Sequence, residues 1–303
     1  MIIPDLKYDH YSTSKGICIN GKCESVIEQY LLPNYKGKIQ LILTSPPFPL
    51  KRAKKYGNKT GDEYVQWLCQ IGNKLKPLLT ETGSIVIEIG NAWNPGEPTY
   101  STLPVEALLE FKKQCELFLC QEFIYFNPAR LPGPIEWVNK RRVRVKDSFT
   151  QIWWLSNSAH PYADNQNIKE AYSKQMKKLL ASGKYNSGTR PSEHTISATA
   201  FNRDNGGAIP SNVIIASNTS SNDPYLKACK KYGLDIHPAR MAPAIPEFFI
   251  KFLTKENDIV FDCFGGSNTT GSVAEVLNRQ WITTELNSEY FKGSRFRFEE
   301  GFE

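Results

Sequence analysis

A chain of 303 residues that is 40% hydrophobic can bury a large core, as one α/β domain with an insertion or as two domains. No stretch approaches the roughly 20 apolar residues of a membrane span. The N-terminal MIIPDLKYDHYSTSKG lacks the basic, apolar and small-residue layout of a secretory signal, so a cytoplasmic protein is expected. The net charge of +6 is modest, and its distribution along the chain carries more information than its size.

In chain order, a first strand is expected at Ile17–Ile19, followed by Asn20-Gly21-Lys22. A second, Lys38–Thr44, runs directly into Ser45-Pro46-Pro47-Phe48. Two successive prolines fix two φ angles and remove two backbone donors, which leaves carbonyl oxygens held stiffly at a strand end. Stiff acceptors beside an aromatic face, next to the basic run KRAKKYGNK, suit a ligand that is planar, amino-bearing and attached to phosphate. Thr60 and Glu63 form a capping-box pattern ahead of a helix with Tyr64, Trp67, Leu68, Ile71 and Leu75 on one face. Further strands are expected at Ser84–Ile89, Glu122–Phe126, Phe149–Leu155, Asp258–Phe264 and Trp281–Leu286, each rich in β-branched or aromatic residues. Pro104 and Pro246 suit the first turns of helices over VEALLEFKKQ and EFFIKFL. Strands separated by helices point to a mostly parallel sheet covered on both faces.

Residues 156–235 interrupt this alternation with a stretch rich in Ser, Asn, Lys and Gly, apart from a helix near Glu170–Leu180. They retain Phe201, Ile209, Val213–Ile215 and Tyr225, so a small loop-rich module inserted into the α/β domain is expected. The domain then falls into 1–155 and 236–303 around it. Basic residues cluster in three places. Lys51, Arg52, Lys54 and Lys55 follow the prolines, and Lys140, Arg141, Arg142, Arg144 and Lys146 form the second group. The third is Lys174, Lys177 and Lys178, with Arg190 and Arg203 further on. Arg142, Arg144 and Lys146 alternate with valines, and on an extended segment this would set a row of charges toward successive phosphates. Any one cluster could be a solvated face; three together favour nucleic acid. In the module, Arg190, His194, Asn202, Arg203 and Asn205 are side-chain types that read base edges.

The segment DIVFDCFGGSNTTGSVAEVLNRQWITTELN places a strand end at Asp262, a glycine loop, a helix starting near Asn268, and a second strand ending at Glu285, 23 residues after Asp262. This is the nucleotide-binding arrangement of a doubly wound sheet. Phe264-Gly265-Gly266-Ser267 lacks the G-x-G-x-x-G spacing of a dinucleotide site and is not a P-loop. S-adenosylmethionine fits better: its ribose hydroxyls suit Glu285, its amino group the Asp262 region, and its carboxylate the amides near Asn268, Thr269 and Thr270. The seven cysteines are scattered and have no histidine partners at finger spacing. Free, buried thiols are expected, with no metal.

DCFGGSNTTG and TSPPF, in reversed order along the chain, resemble the cytosine-N4 DNA methyltransferases of the circularly permuted β group. The resemblance runs from about Gly16 to Phe298 and takes in LPGPIEWVNKRRVRVKD, RDNGGAIPSN and HPARMAPAIPEFFIKFLT. Within that group it extends to the CAGCTG-specific methylases of type II restriction-modification systems. It implies a doubly wound Rossmann-like fold, S-adenosylmethionine as cofactor, double-stranded DNA as partner, and a cognate endonuclease that shares the target site. It also implies that the inserted module recognises the target, that Ser45–Phe48 holds the target base, and that His237-Pro238-Ala239-Arg240 with the helix after Pro246 forms one wall of the cofactor site. Where the family has Gly-Asp after its first strand this chain has Asn20-Gly21-Lys22. Asn20 can donate or accept there, but no carboxylate role transfers to it.

Chemically, the exocyclic amine of cytosine is a poor nucleophile because its lone pair is delocalised into the ring. Acceptors for both amino hydrogens, the Ser45 hydroxyl and the Pro46 carbonyl, would favour pyramidalisation, with Pro47 stiffening the turn. Phe48 can stack on a base swung out of the duplex. No Pro-Cys pair is present for covalent attack at ring carbon. Two other readings share these features: an adenine-N6 methyltransferase, which usually carries Asn or Asp at the position of Ser45, and a catalytically silent DNA-binding protein on the same scaffold.

Overall fold

The computed structural model describes residues 4–48, 59–183, 187–197, 203–218 and 223–298. The basic candidates Lys51, Arg52, Lys54 and Lys55 lie outside the described residues, as does Asn202.

The strands in chain order are β1 (His10–Ser12), β2 (Gly16–Asn20), β3 (Ile39–Thr44), β4 (Leu79–Gly90), β5 (Phe118–Phe126), β6 (Phe149–Ser156), β7 (Gly188–Thr189), β8 (Thr195–Ile196), β9 (Val213–Ile215), β10 (Ile259–Asp262) and β11 (Gln280–Glu285). All but β7 and β8 form one sheet, ordered β1-β2-β11-β10-β3-β4-β6-β5-β9. Its centre, from β2 through β11, β10 and β3 to β4, is parallel. β6 runs antiparallel between β4 and β5. The expected strands are all present, within a mostly parallel sheet in which β1, at one edge, and β6 run the other way.

Alternation along the central strands decides what covers each face. Ile17, Ile19, Ile42, Ile85 and Ile87 join one core with α1 (Cys23–Val26), a π-helical turn (Ile27–Leu31), α3 (Gly61–Leu75) and α4 (Leu103–Gln114). Between the π-turn and β3 lies the short α2 (Leu32–Tyr35). Cys18, Leu41, Leu43 and Val86 point the other way, against α7 (Ala244–Leu253), α8 (Thr269–Val276) and α9 (Ser288–Ser294). All six residues of β3 are buried, and burying each large aliphatic among them contributes about 1.5–3 kcal/mol. This strand is therefore a fixed platform for the Ser45 turn. Pro104 occupies the first turn of α4 as expected. The capping box before α3 does not form: Thr60 is the N-cap residue but its side chain makes no capping bond. Glu63 pairs instead with the Lys59 ammonium, a charged partner stronger than a backbone amide.

The chain divides into a larger unit, Met1–Ala163 with Asn212–Glu303, and a smaller one, Asp164–Ser211. The smaller unit is narrower than the expected 156–235. Ser156 ends β6, Val213–Ile215 pairs with β5, and α6 (Pro224–Tyr232) packs Tyr225 and Cys229 against Phe296. The smaller unit contains the β7–β8 hairpin, α5 (Lys174–Ser182) and a bridge between Glu170 and Ala208. Among its described residues only Gly207 is buried, so it lacks a hydrophobic core of its own. No described helix is long and apolar enough to cross a membrane.

Candidate active site

β2, β11, β10, β3 and β4 all end on one edge of the sheet, at Asn20, Glu285, Asp262, Thr44 and Gly90. From the centre the chain order proceeds one way through β10 and β11 and the other way through β3 and β4. Such a switch point opens a crevice beyond the strand ends. A cavity of about 470 Å³ lies there.

One wall comes from β10 and β11. Asp262 is almost fully buried, and its carboxylate accepts from Thr44 Oγ1 (2.7 Å), Thr270 Oγ1 (2.7 Å) and the Phe264 amide (3.0 Å). Burial raises its pKa, and these three donors oppose the shift. Its principal effect is to tie the Ser45 strand to the glycine loop. Glu285 accepts from the Gly266 and Asn287 amides, both at 2.8 Å, and burial raises its pKa as well. Gly266 has a φ of +54°, and a Cβ there would lie 3.2 Å from the His237 ring. Only glycine leaves the backbone bare at that point. His237 in turn stands edge-on to Tyr290, with ring centroids 4.7 Å apart.

Among the expected cofactor residues, Asp262, Phe264, Gly265, Gly266, Ser267, Thr269, Thr270, Glu285 and His237 line the cavity; Asn20, Pro238 and Asn268 do not. Asn268 is fully buried. It caps α8 through the Gly271 amide (3.1 Å) and donates to the Tyr11 hydroxyl (2.9 Å). The Asn20 amide donates to the Glu285 carbonyl (2.8 Å) and so clips β2 to β11. These two side chains are spent on holding the frame. Ala239 and Arg240, expected on the same wall as His237, line the cavity too, and so do Lys22, Glu24, Trp67, Met241 and Tyr290, which sequence reasoning missed. Trp67 Nε1 donates to Glu24 (3.3 Å) and packs its ring against Phe264. Burial raises the Glu24 carboxyl, but its own backbone amide, the Cys23 thiol, Lys22 and Trp67 together bring it below the usual carboxylate range. The departure at Asn20 thus leaves a different carboxylate, four residues on, facing the cavity.

Ser45-Pro46-Pro47-Phe48, at the end of the adjacent strand β3, line the same cavity. The Phe48 ring lies on Gly90, where a Cβ would come within 2.4 Å of it. One strand over, Glu88 is buried and accepts from Thr150 Oγ1 at 3.0 Å. Burial pushes its carboxyl up to about 7, while Thr150, Arg130 and the Ser45 hydroxyl draw it down. Glu88 is a further residue the sequence did not reveal, since it reads as one polar residue in an apolar strand.

The expected row of cations does not form. Arg142 takes a left-handed conformation with φ +56°, which breaks two-residue alternation. Lys140 and Arg141 both pair with Glu136 (3.3 and 3.1 Å). Arg144 Nε donates to the Pro98 carbonyl (2.9 Å) and Lys146 to that of Pro128 (3.0 Å). Arg190 opens the turn between β7 and β8, its amide donating to the His194 carbonyl (2.9 Å), and Arg203 is exposed. All seven cysteines are free thiols, six of them buried. Among the described residues no cluster of His, Cys, Asp or Glu could hold a metal.

A family described as DNA methylase, of the N6/N4 type, matches residues 39–296. The type II methyltransferase M.PvuII of Proteus hauseri is 43% identical over 290 residues, covering 95% of this chain and 85% of that protein. The solved structure of PvuII DNA methyltransferase (cytosine-N4-specific) superposes with a TM-score of 0.74 at 38% identity, over 95% of this chain and 88% of that one. M1.HpyAVI in complex with SAM shares the fold at a TM-score of 0.55 and 17% identity, over 93% of this chain and 98% of that one. The family match spans most of the chain, and this chain belongs to the N6/N4 DNA methylases.

Proposed function

We propose that the protein transfers the methyl group of S-adenosylmethionine to the N4 amine of a cytosine turned out of double-stranded DNA. The target is a CAGCTG-like site, and the reaction is the modification half of a restriction-modification system. The observation that carries this reading is that the Ser45–Phe48 turn, the loop from Asp262 to Thr270 and Glu285 line one cavity.

The residues fit the cofactor. A bare backbone at Gly266, a carboxylate at Glu285 and aromatic walls from Phe264, Trp67 and Tyr290 suit a ribose-bearing ligand with a flat base. The volume also lies in the range of small-molecule sites. S-adenosylmethionine supplies an electrophilic methyl on a sulfonium, so the chain needs no covalent nucleophile. Ser45 Oγ and the Pro46 carbonyl accept the two amino hydrogens and localise the amine's lone pair as it pyramidalises. Ionised Glu88 takes the Ser45 hydroxyl hydrogen, which frees the serine lone pairs to face the amine. As the N–C bond forms, the surplus amine proton passes to Ser45 Oγ and on to the Glu88 carboxylate, whose pKa near 7 suits a base at neutral pH. Phe48, braced by Gly90, supports the face of the base.

Purified protein, labelled S-adenosylmethionine and duplex DNA test this. After digestion to nucleosides the label is expected in N4-methylcytosine. Label in N6-methyladenine would move the chain to the adenine branch, and no transfer would reduce it to a silent scaffold.

A further inference from the structure

The connection from β5 to β6, residues 127–148, carries large apolar side chains in the open. Leu131 is 84% exposed, Val145 86% and Ile135 62%. Single exposed aliphatics are ordinary, but this loop is not a slack one. The Asp147 amide donates to the Gly133 carbonyl (3.0 Å) and the Val143 amide to that of Trp137 (2.9 Å). The Lys146 ammonium meets the Pro128 and Arg130 carbonyls. Ordered backbone that holds aliphatic side chains out in water needs something to cover them.

The loop's root lies beside the base pocket. Phe48 rests on Gly90. The next residue, Asn91, donates to Asp147 (3.0 Å) and to the Phe149 carbonyl (3.2 Å), which also accepts from Arg130 (3.0 Å). β5 runs parallel to β4, so the loop leaves the same sheet edge as the Ser45 turn. Arg142 and Val143 stand exposed in it, and Arg142 has no hydrogen-bonded or ionic partner among the described residues. Apolar tips among cations, chained to the pocket that takes a base, match one occupant: the stack and backbone of a DNA duplex, whose unstacked step accepts an aliphatic wedge while its phosphates meet the cations.

On the functional reading above, we propose that Leu131 and Val145 insert into the duplex at the target step and hold the vacated position while the cytosine occupies the pocket. Leu131 at the start of the loop and Val145 at its end act as one wedge. The proposal concerns base extrusion and not the methyl-transfer step.

The test uses duplexes carrying CAGCTG with each cytosine in turn replaced by fluorescent pyrrolocytosine, which brightens when unstacked. The wild type is expected to raise the signal at one position. The double variant Leu131→Ser with Val145→Ser should reduce that rise at least about fivefold while its melting temperature and S-adenosylmethionine binding by calorimetry stay unchanged. An abasic site opposite the target, where unpairing is already done, should restore the signal. Wild-type extrusion by the variant would overturn the wedge, and so would a loss that the abasic duplex fails to rescue. Transfer of labelled methyl by the wild type, measured alongside, separates the two ideas. Transfer with unaltered extrusion in the variant sinks the wedge alone, whereas absence of both transfer and extrusion in the wild type sinks the functional reading and the wedge with it.

Discussion

Replacing Ser45 with alanine removes one acceptor for the amine and leaves the stiff turn intact. The lost interaction matters most as the amine pyramidalises, so single-turnover transfer should fall roughly 10²-fold, the scale of losing one preorganised transition-state hydrogen bond. Cofactor and DNA affinity should hardly change, and wild-type turnover in Ser45→Ala would remove the residue from the chemistry. Glu88 makes a pH prediction. Burial holds its carboxyl near 7, against roughly 4.3 in an unfolded chain. Between those values the folded state holds the extra proton, so stability declines as pH rises through that window and levels off above it. Transfer should move oppositely, rising toward the ionised form with an inflection near 7. Glu88→Gln should abolish the inflection, lower the rate and flatten melting temperature against pH over the same window. A glutamine variant that keeps the wild-type profile would place the titrating group elsewhere.

At the scale of elements, the glycine loop between β10 and α8 and the end of β11 act as one unit. Glu285 anchors two backbone amides, so on the proposed function a change there combines a lost cofactor contact with a loosened loop. Glu285→Ala should weaken S-adenosylmethionine binding by calorimetry, and comparing its melting temperature with that of Glu285→Gln separates the two contributions. Unchanged affinity would take Glu285 out of the site. Gly266→Ala is more severe than its size suggests. It places a Cβ at a left-handed φ and 3.2 Å from His237, and should cost about 1 kcal/mol or more from backbone strain, with cofactor affinity lost in step. The second basic cluster behaves differently from its sequence pattern. Arg144 is bonded to the Pro98 carbonyl through Nε and stays exposed, so its charge can still meet a phosphate, and Arg144→Ala should weaken cognate and scrambled duplexes alike in competition binding. An arginine of the smaller unit that reads a base, tested through Arg190→Ala or Arg203→Ala, should instead cost about 1–3 kcal/mol at the cognate site alone. Equal losses on both duplexes would make that unit an electrostatic clamp.

Across the whole molecule, what was legible in the sequence was local in the chain. The Ser45–Phe48 turn, the Asp262 strand end, the glycine loop and Glu285 each declare themselves through proline, glycine or a strand boundary, and together they line one cavity. Glu88 and Glu24 were not legible, because their meaning comes from neighbours far away: Thr150 one strand across for Glu88, Trp67 on another helix for Glu24. Asn268 misled in the other direction. It looks like a ligand at a helix start, yet it is spent on a cap and on Tyr11. The reversed strand β6 carries the same β-branched and aromatic signature as its parallel neighbours, so direction could not be read from composition. The valine-arginine alternation failed because a single left-handed residue, Arg142, cancels a period-two pattern that composition alone cannot protect.

The claim that joins these scales is that the Ser45 wall and the glycine loop serve one reaction on one base. Base-resolved methylome sequencing of a host that lacks the modification, expressing either this chain or its Ser45→Ala variant, tests that claim most directly, because it reports atom, base and motif together. The account predicts N4-methylcytosine at one short CAGCTG-like motif with the natural chain and a strongly reduced level at that same motif with the variant. Methylation of adenine, methylation without a motif, or equal modification by both chains would contradict it.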